Sequence, residues 1–301
     1  METKQHWLSK TYLKNFSPDK FPGQIYEIKR LESKSILKSI SEHVAFGYDY
    51  NIIEVDGEKK NDYEKVISEL ESKVGRILRK IKLHRFDLTR DEWSHMIYYM
   101  TYLRLNIPQF RKSIEKFEED VARKIIKTLA SDKNLMQSYV QRIDMDGIDK
   151  SKINIDELIA FGKDDSRYKI KVPKESAIFA GIRQHENLFK VFALMDWTFH
   201  IVADDSYLIT TDMPVVPIVK DWKMPFTPGY GIADKTIFPV TKKICLVGQQ
   251  KQFSEKERNL KVNGQVVNTI NHILIGYSHE HLYSPINLKE LNKQFEKFPI
   301  V

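Results

Sequence analysis

Arg104 is the residue whose position most constrains the chemistry of this chain. The segment 91–107 carries an apolar stripe at helical spacing, formed by Trp93, Ile97, Met100 and Ile107. Arg104 projects within about 40° of the centre of that stripe, at about 100° per residue. A guanidinium does not lose its proton, and its burial without a partner is strongly unfavourable. The sequence therefore predicts that an acidic side chain or an anionic ligand meets Arg104.

Glu64 and Glu71 are the candidate acidic partners. They lie seven residues apart on the preceding predicted helix, so they project from nearly the same face. An antiparallel neighbouring helix would bring Arg104 within their reach. In a structural interpretation the three form a buried network that fixes helix packing. In a chemical interpretation the carboxylates hold a divalent metal or transfer protons while Arg104 holds an anion. Both interpretations remain open at this point.

His6 and Asp212 each permit the same two kinds of interpretation. His6 precedes an aromatic segment, where a histidine can anchor the N-terminus through a backbone hydrogen bond or act as a metal ligand or general base. Asp212 follows a predicted strand and stands two residues before Pro214. That position suits an Asx turn, and it is also a place where functional carboxylates occur, on loops held by a rigid sheet.

Other polar residues give weaker signals. Asn271 flanks the apolar face of a late helix, where asparagines usually bond to neighbouring backbone. Together with Tyr12 it is a candidate substrate-binding residue. His279 and His281 are interpreted as surface residues, not metal ligands. Four basic residues lie on the polar side of the first long helix, where they suit its C-terminal dipole or a phosphate-binding patch: Lys73, Arg76, Arg79 and Lys80.

The elements that position these residues change type along the chain. Strands are predicted at 24–30 and 35–40, then as a hairpin of 198–203 with 206–210, and at 215–219, 235–240, 243–248 and 282–283. Helices are predicted at 62–83, from 89 to 107, at 108–130 and 173–194, and from 254 to about 276. Segregation of strands from helices argues for α+β architecture and against alternating α/β.

We predict a single α+β domain over residues 1–301. Its mixed or antiparallel sheet combines an N-terminal strand region (1–60) with a C-terminal strand and helix region (196–301). A helical block (61–195) lies between them in the chain. Two separate sheets are the alternative arrangement.

Composition limits the class of protein. The 301 residues are 42% hydrophobic and 30% charged, as in ordinary globular proteins. No apolar run approaches the roughly 20 residues of a membrane span, so we expect no membrane partner. The single cysteine, Cys245, excludes a disulfide framework and a cysteine-based zinc site. These features predict a cytoplasmic protein, and a net charge of +7 mildly favours phosphate-rich partners such as nucleic acid.

Several of these residues together resemble the pattern of a mostly bacterial family known as domain of unknown function 4238. The resemblance runs from end to end of the chain. The residues that carry it are His6, Tyr12-Leu13 with Phe16, Glu64 and Glu71, Arg104 with Pro108, Thr211-Asp212-Met213-Pro214, Asn271, and Tyr283-Ser284. The resemblance implies a polar set typical of a hydrolytic or metal-dependent site, and a role in conflict with phages.

Two functions follow as expectations. The first is a metal-dependent nuclease acting in defence or as a toxin. In this mechanism the metal ion, Mg²⁺ or Mn²⁺, is bound by Glu64, Glu71 and Asp212. His6 is a general base or a metal ligand, and Arg104 binds a phosphate. The second is a non-enzymatic binding or regulatory protein. There the same residues form a buried structural network and the basic surface meets nucleic acid or a protein partner.

Overall fold

The computed structural model describes residues 2–32, 34–143, 149–220, 229–250 and 259–299. The strands are β1 (Lys4–His6), β2 (Gln24–Lys29), β3 (Ser35–Ser39), β4 (Phe46–Tyr48), β5 (Ile53–Val55), β6 (Glu58–Lys60), β7 (Met195–Val202), β8 (Thr210–Thr211), β9 (Val216–Ile218), β10 (Lys235–Thr241), β11 (Ile244–Gln250), β12 (Asn259–Val262) and β13 (His281–Ser284). The helices are α1 (Lys10–Leu13), α2 (Ile40–His43), α3 (Asp62–Lys82), α4 (Arg90–Leu105), α5 (Pro108–Ser131), α6 (Lys133–Arg142), α7 (Ile155–Lys163), α8 (Lys174–Ala193), α9 (Gly264–Tyr277) and α10 (Leu288–Lys297).

The strands form two larger sheets and two short pairs, which confirms the α+β class. One sheet has the order β3-β2-β13-β8 and joins N-terminal strands to C-terminal ones, as predicted. The other has the order β12-β7-β11-β10-β9 and uses C-terminal strands alone. Its pairs are antiparallel except for β12 with β7, which run parallel. The short pairs are β1 with β4 and β5 with β6.

Local sequence signals fix several element ends. Thr89 and Glu92 form the predicted capping box, each side chain bonding to the backbone of the other, and α4 begins immediately after Thr89. The predicted Asp56-Gly57 turn joins β5 to β6. Both of its residues have positive φ, 52° and 78°, as a tight two-residue hairpin requires.

Two predicted elements are wrong. Residues 206–209 do not pair with β7, whose neighbours are β11 and β12. Side chains bind that segment instead, because the backbone N–H of Tyr207 donates to Gln294 and that of Ile209 donates to Asn271. The helix predicted from residue 254 begins at Gly264, with Asn263 as its cap and strand β12 before it. The predicted capping residues Ser254 and Glu257 lie outside the described residues. The helix α10 has no counterpart in the prediction.

Helix α9 lies in the core shared by the two larger sheets. Its apolar residues Val267, Ile270 and Leu274 belong to one buried cluster. That cluster includes Ile28 and Leu282 of the four-stranded sheet and, from the five-stranded sheet, Val202, Val216, Ile237 and Val247. Burial of this apolar area is the main source of stability here.

The chain forms two compact units. One comprises Met1–Gln109 with Gly181–Val301, and the other comprises Phe110–Ala180. The smaller unit has a core of its own, formed by Ala130, Met136 and Val140. Gly162 of α7 lies so close to α5 that a Cβ there would be 3.1 Å from Ala130 Cβ. Whether the chain is one domain remains a prediction.

Within the described ranges, no helix has the length and apolarity needed to cross a membrane.

Candidate acid–base site

Helix α3 carries Glu64 and Glu71 toward the N-terminal segment and α4. Helix α1 approaches α3 closely at Gly75, where a Cβ would lie 3.0 Å from Thr11 Cγ2. This approach places Ser9, the cap of α1, beside the Glu71 carboxyl. Ser9 is buried, and its hydroxyl accepts a hydrogen bond from the Thr11 backbone N–H at 3.2 Å.

Of the two glutamates, Glu71 has the larger shift in pKa. Burial is the main cause that raises the pKa of its carboxyl, the charge of Glu64 also raises it, and the resulting pKa is about 7. Ser9 and the ammonium of Lys10 oppose these effects and lower the pKa. A carboxyl with this pKa exchanges its proton near neutral pH, which is what general acid–base catalysis requires.

Glu64 is held by an amide. Asn51 Nδ2 donates to Glu64 Oε2 at 2.7 Å, and the backbone N–H of Asn51 donates to Gln5 at 2.7 Å. Burial raises the pKa of Glu64, while the Asn51 hydrogen bond lowers it. The second carboxyl therefore has a fixed position on the same face as Glu71.

Two buried tyrosines of α4 complete the surroundings of Glu71. Burial raises the pKa of Tyr99 and of Tyr102 well above 10, and the charge of Glu71 adds to this. The Tyr102 hydroxyl accepts a hydrogen bond from Asn106 Nδ2 at 2.7 Å. The Tyr99 hydroxyl is buried, and the Ser9 hydroxyl lies within reach of both this hydroxyl and the Glu71 carboxyl. Ser9 thus links the buried Tyr99 hydroxyl to the acidic group on α3.

Arg104 does not meet Glu64 or Glu71. Its side chain projects about 140° around the α4 axis from Tyr99, which faces Glu71. Its guanidinium carbon lies 5.7 Å from the centre of the Tyr230 ring. In the described part of the chain it forms no ion pair with an acid, and its buried Nε has no hydrogen-bond partner. The other predicted possibility, an anionic ligand, thus remains.

His6 anchors the N-terminal segment. It pairs with Phe46 in the β1–β4 ladder, and its Nε2 lies 3.3 Å from the Ile40 carbonyl oxygen. Burial lowers the pKa of His6 to about 4, and the charge of Lys10 contributes to the lowering. The ring is therefore neutral at pH 7. This geometry matches the structural interpretation of His6.

Asp212 organises a turn. Its Oδ1 accepts the backbone N–H of His279 at 2.9 Å, and its Oδ2 accepts those of Glu280 at 2.7 Å and His281 at 3.0 Å. The carboxylate is buried and both of its oxygens are engaged. The turn that Asp212 holds leads directly into β13.

The three carboxylates do not converge on one metal position. In the ranges given above, no group of three or more His, Cys, Asp or Glu side chains is arranged to hold a metal ion. The oxygens of Asp212 already accept three backbone hydrogen bonds, so this residue does not fit the predicted ligand set of Glu64, Glu71 and Asp212.

Tyr12 and Asn271 join elements far apart in the sequence. The Tyr12 hydroxyl donates to the Pro239 carbonyl at 2.7 Å and lies 2.7 Å from Thr210 Oγ1. Asn271 accepts from the Ile209 N–H at 3.0 Å and donates to the Tyr207 carbonyl at 2.8 Å. Both side chains are fully buried.

A charged pair between Glu27 and His281 was not predicted from the sequence. His281 Nδ1 lies 3.2 Å from Glu27 Oε1, and Lys38 also pairs with Glu27. Glu27 raises the pKa of His281, chiefly through hydrogen bonding. Burial raises the pKa of Glu27, but His281 and Lys38 outweigh burial and hold that pKa below its usual value. The pair forms because β2 and β13 are neighbours, which the sequence alone does not reveal.

Comparison with known proteins identifies one family. The model of the family described as "Protein of unknown function (DUF4238)" matches residues 4–285. No curated protein and no solved structure matches the chain.

Proposed function

We propose that this chain, which belongs to the DUF4238 family of proteins of unknown function, is a hydrolase whose proton-transfer group is Glu71. The observation that carries the proposal is the half-buried Glu71 carboxyl beside a second carboxyl, a serine and a buried tyrosine hydroxyl. A pKa of about 7 lets one carboxyl both accept and return a proton at neutral pH.

In the proposed reaction Glu71 first acts as a base. It takes a proton from the water that attacks the scissile bond, and it then returns that proton to the leaving oxygen. The Tyr99 hydroxyl, which lies beside Ser9 and Glu71, donates a hydrogen bond to a substrate oxygen in this proposal. Glu64 raises the proton affinity of Glu71 by its charge. Proton transfer of this kind contributes about 10²–10⁴ in rate.

The substrate class we propose is the phosphodiester of a nucleic acid. The net charge of +7 favours a polyanion. The helix that carries Glu71 also exposes Lys73, Arg76 and Arg79. Such exposed cations bind phosphates without reading sequence.

A metal-dependent form of the proposal would use Glu64 and Glu71 alone. Glu64 and Glu71 would supply oxygen ligands of the type that Mg²⁺ and Mn²⁺ prefer. Asp212 does not join them, because its oxygens accept backbone hydrogen bonds. The mechanism above therefore includes no step at a metal.

Cleavage of labelled RNA and DNA tests the proposal. The wild type is incubated with Mg²⁺, with Mn²⁺ or with EDTA, and compared with Glu71→Gln. We expect Glu71→Gln to cleave about 10²–10⁴-fold more slowly than the wild type. The cleavage rate of the wild type should rise through about pH 7 as Glu71 ionises. Glu69→Gln on the exposed side of α3 is the matched control and should keep full activity. Absence of cleavage by the wild type, or full activity of Glu71→Gln, contradicts the proposal.

A non-enzymatic binding protein is the second candidate. It is favoured by the structural contacts of His6, Tyr12, Asp212 and Asn271, all of which bond to backbone atoms. In that case the wild type retains RNA or DNA without cleaving it. The affinity falls with salt, and Glu71→Gln binds as well as the wild type.

A role in bacterial defence or as a toxin is the biological form of the nuclease proposal. If it holds, expression of the wild type slows bacterial growth and expression of Glu71→Gln does not. Equal growth inhibition by both proteins contradicts a toxic activity at Glu71.

A further inference from the structure

Arg104 lies on the opposite side of α4 from the Glu71 site. The α4 residues that share its face include Trp93, which contacts Phe199 with ring centres 5.7 Å apart. The guanidinium lies over the ring of Tyr230 at 5.7 Å. Arg104 is half-buried, so part of its side chain remains accessible from solvent.

Tyr230 is rigidly held beneath the guanidinium. Its ring is buried, and Phe192 packs edge-on against it with ring centres 5.1 Å apart. Its hydroxyl donates to the Val215 carbonyl at 2.7 Å. Burial raises the pKa of Tyr230, the charge of Arg104 and its hydrogen bond to the Tyr230 hydroxyl oppose this rise, and the resulting pKa is about 12. The ring thus supports Arg104 from one side, while its hydroxyl proton is already used.

The charge of Arg104 has no acidic counterpart in the part of the chain that the structure describes. Its buried Nε donates to no described residue. The Tyr230 ring face attracts the guanidinium and its hydroxyl oxygen accepts one N–H of Arg104, which leaves the other donors of the guanidinium plane, Nε among them, unsatisfied by this residue. An oxyanion approaching the edge of the guanidinium would satisfy both the charge and these donors.

We propose that Arg104, supported by Tyr230, forms a binding site for the phosphoryl group of a ligand. The planar fork of arginine matches two oxygens of a phosphoryl group, and stacking on an aromatic ring keeps that fork in one orientation. The site is separate from Glu71, and it stands whether or not Glu71 transfers a proton.

Calorimetric titration with inorganic phosphate and with pyrophosphate, at constant ionic strength, tests the site. We expect Arg104→Met to weaken binding by about tenfold or more, and Arg104→Lys to weaken it by a smaller factor, because lysine keeps the charge but lacks the fork. Tyr230→Phe should weaken binding by a smaller factor than Arg104→Met, since it keeps the aromatic face and removes only the hydroxyl that bonds to Val215 and Arg104. The exposed Arg90 of the same helix provides the matched control, Arg90→Met, which should leave binding unchanged.

Three results would overturn the site. The first is a wild type that binds neither phosphate nor pyrophosphate. The second is unchanged binding in Arg104→Met or, if that variant does not fold, in Arg104→Lys. The third is acetate binding as tightly as phosphate, which would assign the site to carboxylates. Because the readout is binding alone, failure here is distinguishable from failure of the hydrolase proposal, which is measured by cleavage.

Discussion

At the scale of single residues, the surroundings of Glu71 oppose its charged form and so lower the stability of the fold. The folded chain places this carboxyl among buried tyrosines and beside Glu64, where its charged form is unfavourable. The same surroundings bring its pKa to about 7, where it can transfer protons. If catalysis is the reason for retaining Glu71, a neutral replacement should gain stability while losing activity.

The pH dependence of stability tests this view of Glu71. The folded state holds the proton more tightly than the unfolded chain, so this group lowers the free energy of unfolding as pH rises from about 4.5 to about 7. We expect the free energy of unfolding of Glu71→Gln to be higher than that of the wild type by on the order of 1–3 kcal/mol at pH 8. Near pH 4.5 the two free energies should be equal. Urea unfolding at both pH values measures the difference. A constant difference at both values, or one shared by Glu69→Gln, would exclude this explanation.

At the scale of elements, the start of strand β13 is positioned by hydrogen bonds to the turn that precedes it in the chain. Asp212, next to β8, binds three consecutive backbone N–H groups from His279 to His281. The antiparallel register then sets Tyr283 opposite Glu27, and His281 reaches the Glu27 carboxylate from two positions away. One carboxylate therefore starts the strand, and another pairs with its first residue.

The Glu27–His281 pair should stabilise the protein at low pH. Because Glu27 raises the pKa of His281, the contribution is fully present below the ordinary histidine value of 6.5. It is lost as pH rises through the raised value. We expect His281→Gln to cost about 0.5–1 kcal/mol at pH 5.5 and almost nothing at pH 8.5, by urea unfolding. His279→Gln, whose ring is more exposed, is the control. An equal loss for His281→Gln at both pH values would mean that packing, and not charge, explains it.

At the scale of the whole molecule, the chain divides its core between two units. The unit of Met1–Gln109 and Gly181–Val301 contains both larger sheets and α9. The unit of Phe110–Ala180 has separate buried residues in α5 and α6. Each unit therefore has apolar burial of its own.

Hydrogen exchange tests how far the units open independently. Met136 is 4% exposed in the core of the smaller unit, so Met136→Ala should remove about 2–5 kcal/mol of packing. We expect faster amide exchange in α6 and α7, with exchange in β7 and β11 unchanged. If β7 and β11 exchange faster to the same degree, the chain opens as one cooperative unit.

The sequence alone was sufficient for features whose cause lies within a few residues. The Thr89–Glu92 capping box, the Asp56-Gly57 turn and the helical period of α3 are of this kind. Their energetics depend on backbone angles and on side chains one turn apart, which can be read directly along the chain. The α+β class also followed, because strand and helix patterns were segregated.

Only the tertiary structure decided which residues meet. Glu27 and His281 are adjacent because β2 pairs with β13, and Tyr12 reaches Pro239 from the other end of the chain. The helical period gave the face of Arg104 correctly, but it could not show that this face meets Tyr230 and not Glu71. A single helix fixes the directions of its side chains, whereas the partner on each side is chosen by the packing of the whole core.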